Sequence, residues 1–202
     1  VPIGLLCAVF LTFYCPKKLY AFVKPVVGLL AGIPSIVYGF FGLVIIVPII
    51  QNVFGTGGKG VLTASILLGI MILPTIIEVS ESSLRAVPKQ YFEGSLALGA
   101  TKERSIFKAV LVGGKSGVMS AVVLGLGRAI GETMAVIMVA GNQPAIPKSV
   151  LSGVRTLTSN IVLEMAYAAD LHREALIATA VVLFVFILII NICLSMVKRR
   201  ES

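Results

Sequence analysis

Residues 118–140 read VMSAVVLGLGRAIGETMAVIMVA, an apolar run long enough to cross a lipid bilayer as one helix, because about 20 apolar residues span the hydrocarbon core. Two ionisable residues, Arg128 and Glu132, lie inside this run. A charge at the centre of a spanning helix costs roughly 2.5–3.5 kcal/mol to insert, so such residues are candidate functional residues. Their i, i+4 spacing predicts an ion pair on one helix face. The alternative is a pair that only fixes helix packing.

The composition of the whole chain is that of a membrane protein. Hydrophobic residues make up 57% of its 202 residues, whereas soluble domains are usually about 45–50% apolar. The net charge of +8 is divided among short segments, which argues against nucleic-acid binding. The three cysteines form no CxxC pair and His172 is the only histidine, so no metal site is predicted.

Five apolar segments predict an all-α, polytopic membrane helical bundle with about five transmembrane helices. They are residues 1–15, 25–53, 61–77, 117–140 and 175–197. The second segment contains several glycines and prolines, which either kink a helix beside a transport path or serve only packing. The first segment is short for a crossing and begins at Val1. We therefore expect residues 1–202 to be a single transmembrane domain that lacks its N-terminal part.

The basic residues are distributed unevenly between the two predicted sides of the membrane. One side holds Lys17, Lys18, Lys24, Arg85, Lys89, Lys102, Arg104, Lys108, Lys115, Lys198, Arg199 and Arg200. The other side holds only Lys59, Lys148, Arg155 and Arg173. Cytoplasmic segments carry the excess of Lys and Arg. Residues 16–24 and 82–116 and the C-terminus at Ser202 are therefore predicted to be cytoplasmic, and Val1 to be external.

Residues 54–60, FGTGGKG, are predicted to form an external turn and not a nucleotide site. A Walker A loop needs G-x-x-x-x-G-K-[ST], whereas Val53 stands at the first glycine position and Gly60 follows Lys59. We therefore predict that this chain binds no ATP and holds no cofactor. The other external loop, residues 141–173, is predicted to contain a short helix within 154–169.

The cytoplasmic segment 82–116 contains a candidate docking surface. Residues 93–98 are predicted to form a short helix, and Gly99 is suited to terminate it. Small side chains leave a slim surface around which the groove of a partner can close. The alternative is an ordinary cytoplasmic loop.

Residues 93–100, EGSLALGA, resemble the EAA loop of ABC-importer permeases, E-A-A-x-x-x-G. The resemblance implies that this segment docks into the ATP-hydrolysing subunit, and that the chain itself is a transport subunit and not an enzyme. The implied coupling residues are Glu93, Gly94, Ser95, Leu96, Ala97, Leu98, Gly99 and Ala100. Gly94 and Ser95 replace the usual Ala-Ala, and Val112 stands where the family usually has proline.

Three further stretches resemble the permeases of phosphate importers, of the PstC type. They are 125–136 (GLGRAIGETMAV), 31–39 (AGIPSIVYG) and 154–158 (VRTLT). The resemblance implies a multi-pass protein of the prokaryotic plasma (inner) membrane that imports inorganic phosphate. The implied partners are a second, PstA-type permease subunit, a dimer of ATP-binding subunits that holds ATP and Mg, and an extracytoplasmic phosphate-binding protein. The family core usually has six helices, which supports a missing first helix.

Under this resemblance, the substrate path is expected to include Arg128, Glu132, Thr133 and Ser35. The guanidinium of Arg128 stays charged and is able to bind two phosphate oxygens at once. Glu132 would neutralise Arg128 between substrates, and phosphate would displace it. External loops that contain Lys59, Lys148 and Arg155 would receive phosphate, whereas Glu78 and Glu81 are expected to be interfacial.

Three alternatives remain open. The chain is a permease for another oxyanion, such as sulfate or molybdate, which would not explain why residues 125–136 resemble phosphate permeases. It is a stand-alone channel or secondary transporter, which would leave the EAA-like loop unexplained. Or it is a membrane scaffold without a substrate, which would leave the charged residues of the fourth segment unexplained.

Overall fold

The computed structural model describes residues 1–200, including all side chains except those of residues 194 and 197–200. Within this range every regular element is helical, and the β-type pairing is limited to an isolated bridge between Gly141 and Val154. The prediction of an all-α fold is confirmed. The predicted cytoplasmic position of Ser202 and of the side chains of Lys198, Arg199 and Arg200 lies outside the described residues.

Twelve α-helices and two π-helical turns follow one another along the described chain. They are α1 (Pro2–Phe13), α2 (Lys17–Gly32), α3 (Ser35–Phe41), the π-helical turn Gly42–Ile46, α4 (Val47–Phe54), α5 (Val61–Ala86), α6 (Lys89–Ala97), α7 (Lys102–Ser105), the π-helical turn Ile106–Val110, α8 (Leu111–Gly113), α9 (Lys115–Ile130), α10 (Met134–Val139), α11 (Leu157–Glu164) and α12 (Asp170–Arg200).

Three helical stretches of the described chain are long and apolar enough to cross a membrane: Ser35–Phe54, Val61–Ala86 and Asp170–Cys193. A fourth crossing results if the bent pair Lys102–Gly113 and Lys115–Ile130, which meet at 71°, is counted as one span. By length and composition the described residues thus contain three or four candidate spans, against the expected number of about five. One apolar segment forms only the 12-residue helix α1, which is too short to span, and another is interrupted.

The interruption lies in the segment 118–140. Helix α9 ends at Ile130 and α10 begins at Met134, so the prediction of one continuous helix is wrong. Glycine is an unfavourable residue in a helix interior, and Gly131 stands at the break. The side chain of the next residue, Glu132, bonds to backbone amides of the following turn. Glu132 therefore lies outside α9, and the argument that it shares a helix face with Arg128 does not hold.

The boundaries of the second apolar segment also differ from the prediction. Residues 16–24, expected to be a loop, are mostly the first half of α2. The chain leaves the helical conformation at Ile33 instead, since a residue before proline is disfavoured in the α region. Pro34, with φ −58° and ψ 140°, then precedes the first residue of α3. Residues 82–86 are likewise the end of α5 and not the start of a loop.

The chain forms two compact units. The first consists of Val1–Gly32, Ile72–Leu126 and, within the described chain, residues 191–200. Its core joins α1, the end of α5 and the second π-helical turn through Ala8, Val9, Leu84, Ile106 and Val110. The segment with α6 and α7 is therefore held against α1 and α5 by packed side chains. The single transmembrane domain over residues 1–202 stays a prediction.

The second unit consists of Ile33–Met71 and Gly127–Ile190. Tyr38, Leu67, Met71, Val136 and Val139 are among its buried core residues. Helices α3 and α10 approach closely at a glycine, as small residues permit in membrane proteins. A Cβ atom placed on Gly39 would lie 2.9 Å from the Cα atom of Ala135 and 2.8 Å from Sδ of Met138.

This close approach predicts the effect of adding one methyl group. Gly39→Ala should lower the free energy of unfolding by about 1–3 kcal/mol, the usual range for overpacking a filled core. Gly69→Ala is the matched control, because a Cβ atom there meets no neighbour within 4 Å. It should stabilise α5 by up to about 1 kcal/mol through helix propensity. Thermal unfolding of the two variants in lipid nanodiscs measures both effects, and equal stability would refute the packing argument.

Candidate functional site

The helix break at Gly131–Thr133 is closed by the side chain of Glu132. Its Oε1 atom accepts hydrogen bonds from the backbone amides of Thr133 (3.1 Å) and Ala135 (3.0 Å). The first amides of a helix have no partner within the helix, and a negative charge beside them is favourable. Glu132 thus acts as a cap for α10, a role that the sequence-based prediction missed.

The break is also bonded to the loop of residues 141–173, which is predicted to be external. The Thr158 hydroxyl of α11 donates to the Glu132 carbonyl oxygen at 3.4 Å, and the Thr133 hydroxyl donates to the Gly131 carbonyl oxygen at 3.3 Å. The helix predicted within residues 154–169 is confirmed as α11, and Thr156 caps its start by accepting from the Ser159 amide at 3.2 Å. The loop therefore helps to satisfy the backbone at the break.

Arg128 lies in the last turn of α9 and is half-buried. A cation there is favourable because the carbonyl end of a helix is partly negative. Its guanidinium interacts electrostatically with Tyr38 of α3, a buried residue within the 31–39 stretch.

The four predicted path residues belong to the same compact unit. Ser35 begins α3 and is half-buried, one helical turn before Tyr38. Glu132 and Thr133 form the break, and Arg128 precedes it by less than one turn. Polar groups of α3, α9 and the break are therefore gathered in one unit. Which of them contact a substrate stays a prediction.

Arg155, one of the cations expected to receive phosphate, forms hydrogen bonds within the loop of residues 141–173. Its Nη1 atom donates to Oε1 of Glu164 at 2.8 Å, and its Nε atom donates to the carbonyl oxygen of Asn142 at 3.2 Å. It therefore joins the loop to α11. Lys59 and Lys148, by contrast, are exposed.

The short helix predicted in the candidate docking segment is confirmed, although it begins earlier than expected, at Lys89; its docking role stays a prediction. The helix ends in a Schellman motif. The Gly99 amide donates to the Leu96 carbonyl oxygen, and the Ala100 amide donates to the Ser95 carbonyl oxygen. Gly99 has φ +84°, a conformation that glycine adopts at little cost.

Helix α6 exposes one side and anchors the other. Phe92 packs on Phe13 with ring centroids 5.9 Å apart, and the hydroxyls of Ser95 and Ser105 are 3.0 Å apart. The outer residues are Glu93, Gly94, Leu96, Ala97, Leu98 and Gly99. Because Phe92 packs inward and anchors α6, the small residues of the helix remain exposed on its outer side.

The side chain of Glu81 is only 2% exposed, and its expected position at the membrane interface stays a prediction. Its carboxylate accepts from Tyr20 (3.0 Å), from Lys24 (2.7 Å) and from the Nε atom of Arg85. The i, i+4 spacing of Glu81 and Arg85 was visible in the sequence. The partners on α2 were not, because they are distant along the chain.

The capping role of Glu132 is testable. Glu132→Ala should remove about 1 kcal/mol of local stability, as the loss of a capping side chain usually does, and speed amide exchange at Thr133 and Ala135 about fivefold. Glu132→Gln, which keeps an acceptor oxygen, should exchange at rates between those of the wild type and Glu132→Ala. Hydrogen exchange of the full chain in nanodiscs measures this. Unchanged exchange in Glu132→Ala would refute the cap.

Comparison with known proteins places this architecture in a family. The model described as "Binding-protein-dependent transport system inner membrane component" matches residues 1–202. The "Probable ABC transporter permease protein YqgH" of Bacillus subtilis is 40% identical over 94% of this chain and 64% of its own length. Proteins named "Phosphate transport system permease protein PstC" are 36% identical in Mesorhizobium japonicum and 37% identical in Pasteurella multocida, over 100% of this chain and 68% and 70% of theirs.

The chain thus spans 64–70% of the length of these relatives. A solved structure described as "Inward facing conformations of the MetNI methionine ABC transporter" aligns with a TM-score of 0.77 at 23% identity, covering 100% of this chain and 87% of that one. This likeness shows a shared fold. The chain therefore belongs to the family of inner-membrane components of binding-protein-dependent transport systems.

Proposed function

We propose that this chain is the membrane-spanning permease subunit of an ATP-driven importer of inorganic phosphate. The observation that carries the proposal is the identity of 36–37% to permeases named for phosphate transport, over the whole of this chain. The stretch 125–136, which resembles phosphate permeases, coincides with the end of α9 and the break before α10. Broken helices line substrate sites in transporters, and irregular backbone at membrane depth is tolerated only in protein or beside a cavity.

In this proposal Arg128 provides the positive charge that a phosphate anion needs in an apolar surrounding. Phosphate displaces Glu132 from Arg128 in this proposal, so that binding stays weak enough for release. Glu132 also fixes the start of α10, because its Oε1 atom accepts from the amides of Thr133 and Ala135.

The remaining partners follow from the same proposal. Helix α6 and the turn after it dock on a dimer of ATP-binding subunits, which bind ATP and Mg, since 54–60 lacks the Walker A pattern. A second, PstA-type permease subunit completes the path. A phosphate-binding protein delivers the ion at the external loops, so residues 82–116 and the C-terminus face the cytoplasm.

The role of Arg128 is tested by ATP-dependent uptake of radiolabelled phosphate into vesicles that hold the full complex. Arg128→Gln should lower uptake roughly tenfold or more, since a hydrogen bond to a charged group contributes about 1.5–3 kcal/mol. Arg128→Lys keeps the charge but loses the bidentate geometry of the guanidinium, so its uptake should lie between those of the wild type and of Arg128→Gln. Assembly is compared by co-purification of the subunits.

Unchanged uptake in Arg128→Gln would leave the residue a packing role only. Wild-type vesicles that carry sulfate or molybdate but no phosphate would establish the other-oxyanion alternative. Uptake without any ATP-binding subunit would establish a channel or secondary transporter.

The docking surface is tested by a second pair of variants. Leu98 is 90% exposed after α6, and Ile146 is 91% exposed in the predicted external loop. Leu98→Asp should reduce co-purification of the ATP-binding subunit about tenfold, as substitutions in the centre of an interface do. Ile146→Asp should have no effect on it. Equal binding by both variants would contradict docking at residues 93–100.

A further inference from the structure

A buried carboxylate joins three helices of the first compact unit. Glu81 lies on α5, and its two oxygens are used in different directions. Oε2 accepts from Lys24, whereas Oε1 accepts from Tyr20 and from Arg85. A buried ionised carboxylate is stable only when it is paired and hydrogen-bonded. Here both oxygens are occupied by donors from α2 and α5.

Arg85 extends this arrangement to α1. Its guanidinium carbon lies 4.3 Å from the ring centre of Tyr20, which is a cation–π distance. Its Nη2 atom donates to the carbonyl oxygen of Leu11 at 3.3 Å. Leu11 is in the last turn of α1, where carbonyl groups lack helical partners. Glu81 therefore fixes the orientation of the side chain that holds the end of α1.

The end of α1 is the surface on which α6, the proposed docking helix, packs. Lys102, which begins α7, donates to the carbonyl oxygen of Phe13 at 3.1 Å, and Phe13 packs on Phe92 of α6. The cations Arg85 and Lys102 precede and follow α6 in the chain. Both bind the same end of α1, so the residues on either side of α6 in the chain are fixed to α1.

Only the turn Val87–Pro88 separates α5 from α6. A force applied to α6 therefore reaches α5 through this turn and through the contacts with α1. If Arg85 were not held, the end of α5 would move relative to α1 and α2, and part of the displacement of α6 would be lost. The carboxylate of Glu81 is buried and both of its oxygens are hydrogen-bonded, whereas Lys24 and Arg85 are partly exposed. A satisfied buried acceptor at the centre of such a network gives rigidity of this kind.

We propose that Glu81 is a positioning residue for energy coupling: through Arg85 and Lys24 it locks α1, α2 and α5 into one body, so that movement of α6 is passed to the spanning helix α5. The proposal rests on the proposed function, in which an ATP-binding subunit moves α6. Glu81 touches neither ATP nor phosphate in it.

The test uses the complete complex in vesicles and measures phosphate uptake and ATP hydrolysis in the same sample. Glu81→Gln keeps the size of the side chain and removes its charge. It should lower the phosphate carried per ATP hydrolysed about fivefold, within the range of coupling effects of such networks, while hydrolysis continues. Glu78→Gln is the matched control, because Glu78 is a half-buried glutamate on the same helix. It should keep the wild-type ratio.

A purely structural role gives a different result. It would lower the amount of assembled complex, or uptake and hydrolysis in equal proportion, and an unchanged ratio in Glu81→Gln would overturn the proposal. Tyr20→Phe removes one hydrogen bond to Glu81 and leaves the charges in place. If the complex with Glu81→Gln does not assemble, the ratio of phosphate to ATP in Tyr20→Phe tests the proposal instead. We expect about a twofold lower ratio, and a wild-type ratio would again overturn the proposal.

The two proposals fail in distinguishable ways. Sulfate and molybdate uptake are measured beside phosphate uptake. Wild-type vesicles that carry another ion but no phosphate would refute the phosphate assignment, and the ratio of that ion to ATP would still decide the role of Glu81.

Discussion

Backbone groups in a membrane have no water to bond with, and this constraint governs how the chain is allowed to stop being helical. Between α9 and α10 the helical ladder is broken inside an apolar run. The Glu132 carboxylate and the Thr158 hydroxyl supply the missing bonds at that point. The amides of Thr133 and Ala135 and the carbonyl oxygen of Glu132 are thereby hydrogen-bonded at the break that follows Arg128.

The need to satisfy backbone groups also explains where three of the cations lie. Arg128 is in the last turn of α9, and Arg85 and Lys102 bond to carbonyl oxygens at the end of α1. Each charge is placed where a helix offers partly negative carbonyl groups. Helix ends therefore make charged side chains tolerable in a chain whose residues are 57% hydrophobic. One such charge belongs to the proposed path and two belong to the proposed coupling region.

The sequence allowed the helical class to be predicted, together with the end of α6 at Gly99. It also predicted three apolar segments, 25–53, 61–77 and 175–197, which correspond to the candidate spans 35–54, 61–86 and 170–193. These depend on hydropathy and on local backbone preference, which are encoded in neighbouring residues. The break at 131–133 was missed because apolar residues continue on both sides of it. The burial of Glu81 was missed because Tyr20 and Lys24, which stabilise it, approach only in the folded chain.

The spanning helices differ in how much of their surface other parts of the chain cover. A third of the window is buried in Ser35–Phe54 and in Val61–Ala86, but only 6% in Asp170–Cys193. Packing within this chain thus constrains the first two stretches more than the third. Along that third helix Leu176 is buried, whereas exchange among Leu, Ile, Val and Phe at its exposed positions leaves the packing within this chain unchanged. Evolutionary drift should therefore be faster there, with hydropathy kept and residue identity lost.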